Sequence, residues 1–205
     1  MSNKDCIVYD FETLGQKPTS AVLCLAALRF NEDRYLSDRP YTYKELLDSA
    51  RFIKFSVREQ VEMYGRRIDK STIDWWKEQP REAQELIKES ETDRPLAEIA
   101  PFFQDLIIDP SQISKVYTRG NTFDPIFLDS ILENVKSPEV YNWWTVRDTR
   151  SMIDGLSFGS GLKNSFMVPG LEESFIHHNP IHDIAMDVMR MQFLVRETMI
   201  DSKDL

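Results

Sequence analysis

Two acidic residues inside an apolar segment near the start of the chain constrain its fold more than any other feature. The segment runs from Cys6 to Gly15, reads as a buried β-strand, and contains Asp10 and Glu12. Side chains of a strand alternate between its faces, so these two carboxylates point the same way. Neighbouring anions repel each other unless a cation lies between them. The segment therefore predicts a strand that contributes to a metal site.

Two further segments extend this strand into a predicted β-meander. An apolar run from Ala21 to Phe30 follows a loop that contains Gly15 and Pro18, and this pattern predicts a hairpin. Alternating residues over 51–57 predict a third strand. The chain is therefore expected to open with antiparallel β structure.

Helices are expected to dominate the rest of the chain, interrupted by one further short strand at Lys115–Thr118. The predicted helices are one with Ser71 as its N-cap, one opened by Pro95, one beginning at the Asp124-Pro125 pair, and one from about Pro180 to Met199. This order of elements predicts a mixed α/β fold.

The composition is that of one ordinary globular domain. The chain has 205 residues, of which 41% are hydrophobic and 29% charged, so we expect a single domain over 1–205. The longest apolar run, from Ala21 to Leu28, is too short to span a bilayer, and the first residues lack a signal-peptide pattern. Cys6 and Cys24 lie in predicted buried strands and are expected to be reduced. We therefore expect a cytoplasmic protein with no membrane partner.

The charge balance limits how the chain can contact nucleic acid. The net charge is −9, whereas proteins that coat nucleic acid neutralise many phosphates with Lys and Arg. Any contact with a polyanion is therefore expected to be local. A carboxylate cluster that has bound divalent cations would attract a phosphate at that one place.

Asp124 is a second candidate ligand with an alternative structural role. An Asp followed by Pro125, ahead of a helical apolar pattern, is typical of a helix N-cap. A carboxylate at a strand-to-helix turn can also ligate a metal with its other oxygen. Both roles stay open on the sequence alone.

All three histidines of the chain lie within residues 177–183. Asn179 and Pro180 are typical of a helix start, which leaves His178 on the preceding loop and Asp183 in the first turn. An imidazole can accept a proton near neutral pH, and a carboxylate can hold a cation. His182 and Asp187 repeat the same spacing, so two registers exist, and the loop position favours His178.

These motifs, in this order, resemble those of the DEDDh 3′-5′ exonucleases of the ribonuclease H-like superfamily. The similarity is greatest to the branch that contains the exonuclease A of T-even bacteriophages and the bacterial 3′-5′ exoribonucleases. It rests on Asp10 to Gly15, the Phe123-Asp124 pair, and His178 with Asp183. Segments 73–76, 119–124 and 146–148 extend it over most of the chain. The resemblance implies a mixed sheet, an antiparallel meander plus parallel strands, flanked by helices.

The resemblance also implies a mechanism and a set of roles. Members of this family hydrolyse phosphodiesters at single-stranded DNA or RNA 3′ ends with two Mg²⁺ or Mn²⁺ ions and release nucleoside 5′-monophosphates. The positions that match the four metal-binding carboxylates are Asp10, Glu12, Asp124 and Asp183, and His178 matches the general base. The positions expected to contact substrate are Phe11, Thr13, Leu14 and Trp76.

Other interpretations of the sequence stay open. A phosphodiesterase for dinucleotides or other short nucleotides would use the same chemistry, and a non-catalytic nucleic-acid-binding protein would share the fold. Relatives include dimers, so the resemblance allows a homodimer in a bacterial or phage-infected cytoplasm. Trp75 and Trp76 are each candidates for stacking on a base or for core packing. The sequence leaves the roles of His177 and His182 unassigned.

Overall fold

A five-stranded mixed sheet is the centre of the fold in residues 5–201, the part of the chain that the computed structural model describes, with the side chains of 199–201 outside the description. The strand order across the sheet is β3-β2-β1-β4-β5. The strands are β1 (Asp5–Thr13), β2 (Val22–Asn31), β3 (Arg51–Lys54), β4 (Ile113–Thr118) and β5 (Val146–Asp148). β1 to β3 form the predicted antiparallel meander, and β1, β4 and β5 pair in parallel.

Helices cover both faces of this sheet. They are α1 (Tyr43–Ser49), α2 (Val57–Tyr64), α3 (Lys70–Lys77), α4 (Arg81–Gln84), α5 (Ile99–Leu106), α6 (Asp124–Val135), α7 (Thr149–Leu156) and α8 (Pro180–Asp201). Because side chains alternate along β1, Ile7 packs in the core beneath α5 and α6, whereas Val8 packs in the core beneath α8. In the described range, even the longest helix lacks an apolar stretch of membrane-spanning length.

The parallel pairing of β1 and β4 determines where the functional residues meet. Parallel strands present their carboxyl ends at the same edge of a sheet. Asp10 and Glu12 lie toward the end of β1, and the turn after β4 leads to Asp124. Buried residues of α8, such as Ile184 and Val188, pack against the same strands. The start of α8 is therefore held near this edge.

Most of the predicted elements are confirmed, with several differences. The third strand ends at Lys54 because Ser56 caps α2, its side chain accepting a hydrogen bond from Glu59 N. The N-cap of α3 is Asp69, so the prediction of Ser71 was wrong. The short strand β5 was missed because it has only three residues and its last one, Asp148, is the N-cap of α7. The helices α1, α2 and α7 were missed as well.

The two cysteines have the predicted environment. Cys6 lies in β1 and Cys24 in β2, and both are buried thiols. Burial raises the pKa of the Cys6 thiol to about 12, so this thiol stays protonated at neutral pH. They act as small core residues.

Candidate functional site

Three carboxylates converge at the edge of the sheet. Asp10 and Glu12 project from β1, and Asp183 comes from the first turn of α8. One oxygen from each lies within 4.8 Å of the others, and all three residues are half-buried. Segments about 170 positions apart in sequence thus form one acidic centre.

Burial and mutual repulsion disfavour the charged forms of these groups. The pKa values of Asp10 and Glu12 are raised well above the ordinary range, first by burial and then by neighbouring carboxylates. Burial and the charge of Asp187 raise the pKa of Asp183 to about 7. A cation between the carboxylates would remove the repulsion. Oxygen-only donors suit hard divalent ions such as Mg²⁺ or Mn²⁺, so the side chains present fit such an ion.

Asp124 lies beside this centre and is held by β1. It is the first residue of α6, and its Oδ1 accepts a hydrogen bond of 3.0 Å from the backbone N–H of Phe11. Burial raises its pKa to about 7, and its charge contributes to the raised pKa of Asp10. The helix N-cap is Phe123 and no side-chain hydrogen bond caps α6, so of the two roles left open by the sequence the structure does not show the capping one. The carboxylate instead joins the start of α6 to β1.

His178 lies on the loop that precedes α8. Its backbone has a positive φ of 58°, an uncommon conformation for a residue other than glycine. Asn179 caps the helix, since its Oδ1 accepts from Ile181 N at 3.1 Å and its carbonyl accepts from Asp183 N at 2.9 Å. Burial and the nearby His177 lower the pKa of His178 below 6.5. The imidazole is therefore neutral, and able to accept a proton, at neutral pH.

The alternative pair, His182 and Asp187, lies about one helical turn further along, and both side chains already have partners within the protein. Nδ1 of His182 lies 2.9 Å from the hydroxyl of Tyr43. Asp187 is buried and forms ion pairs with Arg119 and Arg190. These contacts give the two residues structural roles within the helix packing.

A pocket of about 640 Å³ opens beside Glu12. It is lined by Phe11, Glu12, Thr13, Gly15, Gln16, Ser71, Thr72, Trp75, Trp76 and Phe123. Of the predicted substrate-contacting residues, Phe11, Thr13 and Trp76 line the pocket. Trp75 is 42% exposed, whereas Trp76 is 1% exposed and donates from its indole to Thr13 O at 3.0 Å. Trp76 thus supports the strand, and the indole free to meet a ligand is that of Trp75.

Leu14 has a different environment from the one expected for a residue that contacts substrate. Its side chain is buried and packs against Leu23, Trp76 and Ala83 rather than lining this pocket. Its backbone N–H donates to Ala21 O at 2.8 Å. In this conformation Leu14 anchors the end of β1, and contact with substrate would require its side chain to move.

Comparison with known proteins identifies the fold and the family. A family model described as a 3′-5′ exoribonuclease Rv2179c-like domain matches residues 5–194. The chain belongs to this exonuclease family. The exodeoxyribonuclease of Enterobacteria phage T4 is 32% identical to it over 210 residues, which cover 94% of this chain and 89% of the phage protein. The protein is therefore a 3′-5′ exonuclease, as the motifs predicted.

Solved structures support the ribonuclease H-like fold. Exonuclease I of E. coli, in complex with single-stranded DNA, has a TM-score of 0.54 and 15% identity to this exonuclease. Exonuclease I from Methylocaldum szegediense has a TM-score of 0.59 and 17% identity. Each match covers 94% of this chain and 40% of the other, so the chain spans less than half the length of these structures. The non-catalytic alternative has no support among these relatives.

The sequence reasoning missed part of the pocket wall. Gln16, Ser71, Thr72 and Phe123 line the pocket and were not predicted to do so. Ser71 and Trp75 are four residues apart in α3, and such residues lie on the same helix face. This spacing was the sequence signal that could have placed Ser71 beside Trp75 in the pocket wall. The remaining residues meet only through the tertiary packing.

Three arginines near the site differ in their availability. Arg119 is paired with Asp187, and Arg147 donates to the carbonyls of Trp144 and Val146. Arg150 is exposed, and its Nη1 lies 3.4 Å from where a side chain on Gly120 would begin. Its charge lowers the pKa of Asp124. In the described part of the chain, the Arg150 guanidinium forms no ion pair and remains available to an anion.

Proposed function

We propose that this exonuclease requires divalent metal ions and hydrolyses the terminal phosphodiester at single-stranded 3′ ends of DNA or RNA, releasing nucleoside 5′-monophosphates. One observation carries the proposal: Asp10, Glu12 and Asp183 bring oxygen atoms within 4.8 Å of one another beside a pocket. Such a cluster suits a cation, and the adjoining pocket suits the nucleotide to be removed.

Four carboxylates are proposed to hold two Mg²⁺ or Mn²⁺ ions. Asp10, Glu12 and Asp183 supply the converging oxygens, and Asp124 is fixed next to them through Phe11 N. When bound, such ions lower the pKa of a water ligand and stabilise the oxygen that leaves phosphorus. The buried Asp124 hydrogen bond holds one carboxylate oxygen and leaves the other for this role.

His178 is proposed to accept the proton of the attacking water. Its lowered pKa keeps it neutral at neutral pH, as a general base must be. Its loop position leaves the ring away from the helix hydrogen bonds, whereas His182 is bonded to Tyr43. Asp187 forms ion pairs with Arg119 and Arg190. This further supports His178 and Asp183, rather than His182 and Asp187, as the functional pair.

The pocket is proposed to hold the 3′-terminal nucleotide. Its lining includes the apolar rings of Phe11, Trp75 and Phe123 together with the Thr13 residue that follows Glu12. A base can stack on an exposed indole for about 1–3 kcal/mol. Arg150 is proposed to meet a phosphate at the edge of the acidic centre. The matched relatives are named for both RNA and DNA, so either sugar is proposed.

One experiment tests the proposed function directly. Purified protein is incubated with 5′-labelled single-stranded RNA or DNA of one sequence, with Mg²⁺, Mn²⁺ or EDTA. The Asp10→Ala variant is assayed in parallel. We expect a ladder that shortens from the 3′ end, requires metal and is absent from the variant. Intact strands with folded wild-type protein and metal would contradict the proposal.

A second candidate is a phosphodiesterase for dinucleotides and other short nucleotides. It is favoured by the net charge of −9 and by a pocket of about 640 Å³, which is the size of a small-molecule site. An enzyme that holds only the last nucleotides should show a shallow dependence of KM on salt, whereas a long-tract binder shows a steep one. We further propose a cytoplasmic location and a homodimer. Size-exclusion chromatography with light scattering tests the homodimer.

A further inference from the structure

Trp75 contacts both the pocket and the proposed base. Its indole lines the pocket beside Glu12, and its ring meets the His178 ring edge-to-face, with centroids 4.9 Å apart and an interplanar angle of 80°. Such aromatic contacts contribute about 0.5–1.5 kcal/mol beyond area burial. One side chain therefore borders the two groups that must be aligned for hydrolysis, the terminal nucleotide and the imidazole.

The Trp75 ring is itself held in place by contacts that begin at β1. Trp76 packs edge-to-face on Trp75, with centroids 5.1 Å apart. Trp76 is fully buried and is hydrogen-bonded to the carbonyl of Thr13, the residue next to Glu12. A continuous series of contacts thus runs from β1 through Trp76 and Trp75 to His178.

His178 has few other restraints. It lies on a loop, with a left-handed backbone, and its other ring contact is with His177 at 6.3 Å between centroids. Among the residues whose side chains are described, no hydrogen bond to the His178 ring is present. The orientation of the imidazole therefore depends on the indole against which it packs.

We propose that Trp75 is a positioning residue that fixes the His178 imidazole for proton transfer, in addition to bordering the terminal base. This inference rests on the proposed role of His178 as the base. An aromatic contact restricts the ring without adding a charge or a hydrogen bond, so both nitrogens stay free for the water proton. A base that stacks on the other side of the indole would restrict Trp75, and with it His178, when substrate is bound.

Two oligonucleotides separate positioning from simple base stacking. They have the same sequence, but one ends in an abasic residue at its 3′ terminus. Cleavage is measured at saturating substrate and metal in single turnovers, which isolates the chemical step. If Trp75 positions His178, Trp75→Ala should lower the rate about 10–10²-fold on both oligonucleotides, the scale expected for a misplaced catalytic group. A Trp75→Ala rate equal to wild type on the abasic substrate would leave only a stacking role and overturn the proposal.

Two matched variants sharpen this test. Trp75→Phe keeps an aromatic ring and should recover most of the rate. Trp144→Ala removes another exposed indole, in the turn before β5, and should react like wild type. Equal losses in Trp75→Ala and Trp144→Ala would point to a general effect of removing surface tryptophan and would overturn the proposal.

A double-mutant cycle with His178→Ala tests the coupling itself. Residues that act as one unit have non-additive effects, so Trp75→Ala should cost less than about 2-fold in that background. A full loss there would show that Trp75 acts independently of His178. Wild-type protein that cleaves neither oligonucleotide would instead contradict the proposed function, so the two failures are distinguishable.

A fluorescence measurement tests the contact between Trp75 and His178 without requiring cleavage of a substrate. A protonated imidazole next to an indole quenches the fluorescence of that indole. The emission of Trp75 is the difference between the spectra of wild type and Trp75→Phe. This emission should decrease in wild type as His178 is protonated. His178→Gln should abolish this pH-dependent quenching. His177→Gln, which alters the other titratable neighbour, should retain it. Quenching that survives His178→Gln would show that the two rings are not in contact and overturn the proposal.

Discussion

Two His-Asp pairs with identical spacing lie at the start of α8 and have opposite environments. Asp183 lies with the β1 carboxylates, and His178 contacts the pocket residue Trp75. His182 and Asp187 face Tyr43 and two arginines. The two aspartates are four residues apart, about one helical turn, yet one adds to a concentration of negative charge and the other is neutralised.

The comparison shows that counter-charge distinguishes a candidate ligand from a structural carboxylate. Asp187 has its compensating cations within the protein, so it stabilises the packing of α8 without any further ion. Asp183 has carboxylate neighbours, and its raised pKa records the cost of that arrangement. A buried anion without an internal partner requires a cation from solution or a proton.

Removing the carboxylate without a counter-charge should have the largest effect. Asp183→Asn is expected to lower single-turnover cleavage by about 10³–10⁴-fold, because bound metal contributes several kcal/mol of transition-state stabilisation. The unfolding free energy of the metal-free protein should not fall, since one repelling charge is removed. Near wild-type cleavage by this variant at saturating Mg²⁺ would remove Asp183 from the metal site.

Substitution of His178 should mainly lower the cleavage rate, whereas substitution of His182 should mainly lower stability. His178→Ala is expected to lower the cleavage rate by about 10²–10⁴-fold, the usual scale for general-base catalysis. His182→Ala loses its contact with Tyr43 and should affect stability more than rate. Rates for both variants come from one single-turnover assay with labelled oligonucleotide. A larger loss of rate in His182→Ala would reverse the assignment.

Asp187→Asn tests whether Asp187 has the structural role assigned to the second His-Asp pair. Loss of this charge leaves Arg190 buried without its ion pair, which is expected to lower the unfolding free energy by about 3–5 kcal/mol. Urea unfolding followed by circular dichroism measures the change. The folded variant, stabilised with Mg²⁺, should retain most of its cleavage rate. A fully folded but inactive Asp187→Asn protein would place Asp187 in the catalytic machinery.

The pH dependence of stability tests the charge repulsion at the acidic centre without any substitution. In the metal-free protein, Asp124 and Asp183 have pKa values of about 7, against an ordinary value of 3.8. The folded state therefore binds more protons than the unfolded state between these values, and stability should fall as pH rises from about 4 to about 7.

Thermal denaturation with and without Mg²⁺ measures this dependence. The metal-free Tm should be lower at about pH 8 than at about pH 5.5, and Mg²⁺ should raise it most at the higher pH. Asp183→Asn should flatten the metal-free profile. A metal-free Tm that rises over this interval would contradict the charge repulsion described for the cluster.

The success and failure of the sequence predictions follow from the range of the interactions involved. The hairpin, the last helix and the Asn179 cap depend on neighbours along the chain, and each is confirmed. The sequence left the role of Asp124 open because it could not show that a distant backbone group, Phe11 N, donates a hydrogen bond to the Asp124 carboxylate. Which indole is exposed could not be predicted either, since Trp75 and Trp76 are adjacent and similar in composition.

The sequence by itself determined the strand with its two carboxylates, the helix start at Asn179 and the order of the exonuclease motifs. These features depend on local periodicity and capping, which act over a few residues. Only the tertiary structure decided which carboxylates meet, which arginine stays available and which tryptophan touches His178. Those outcomes depend on the parallel pairing of β1 with β4 and on the packing of α8, which join segments far apart in sequence.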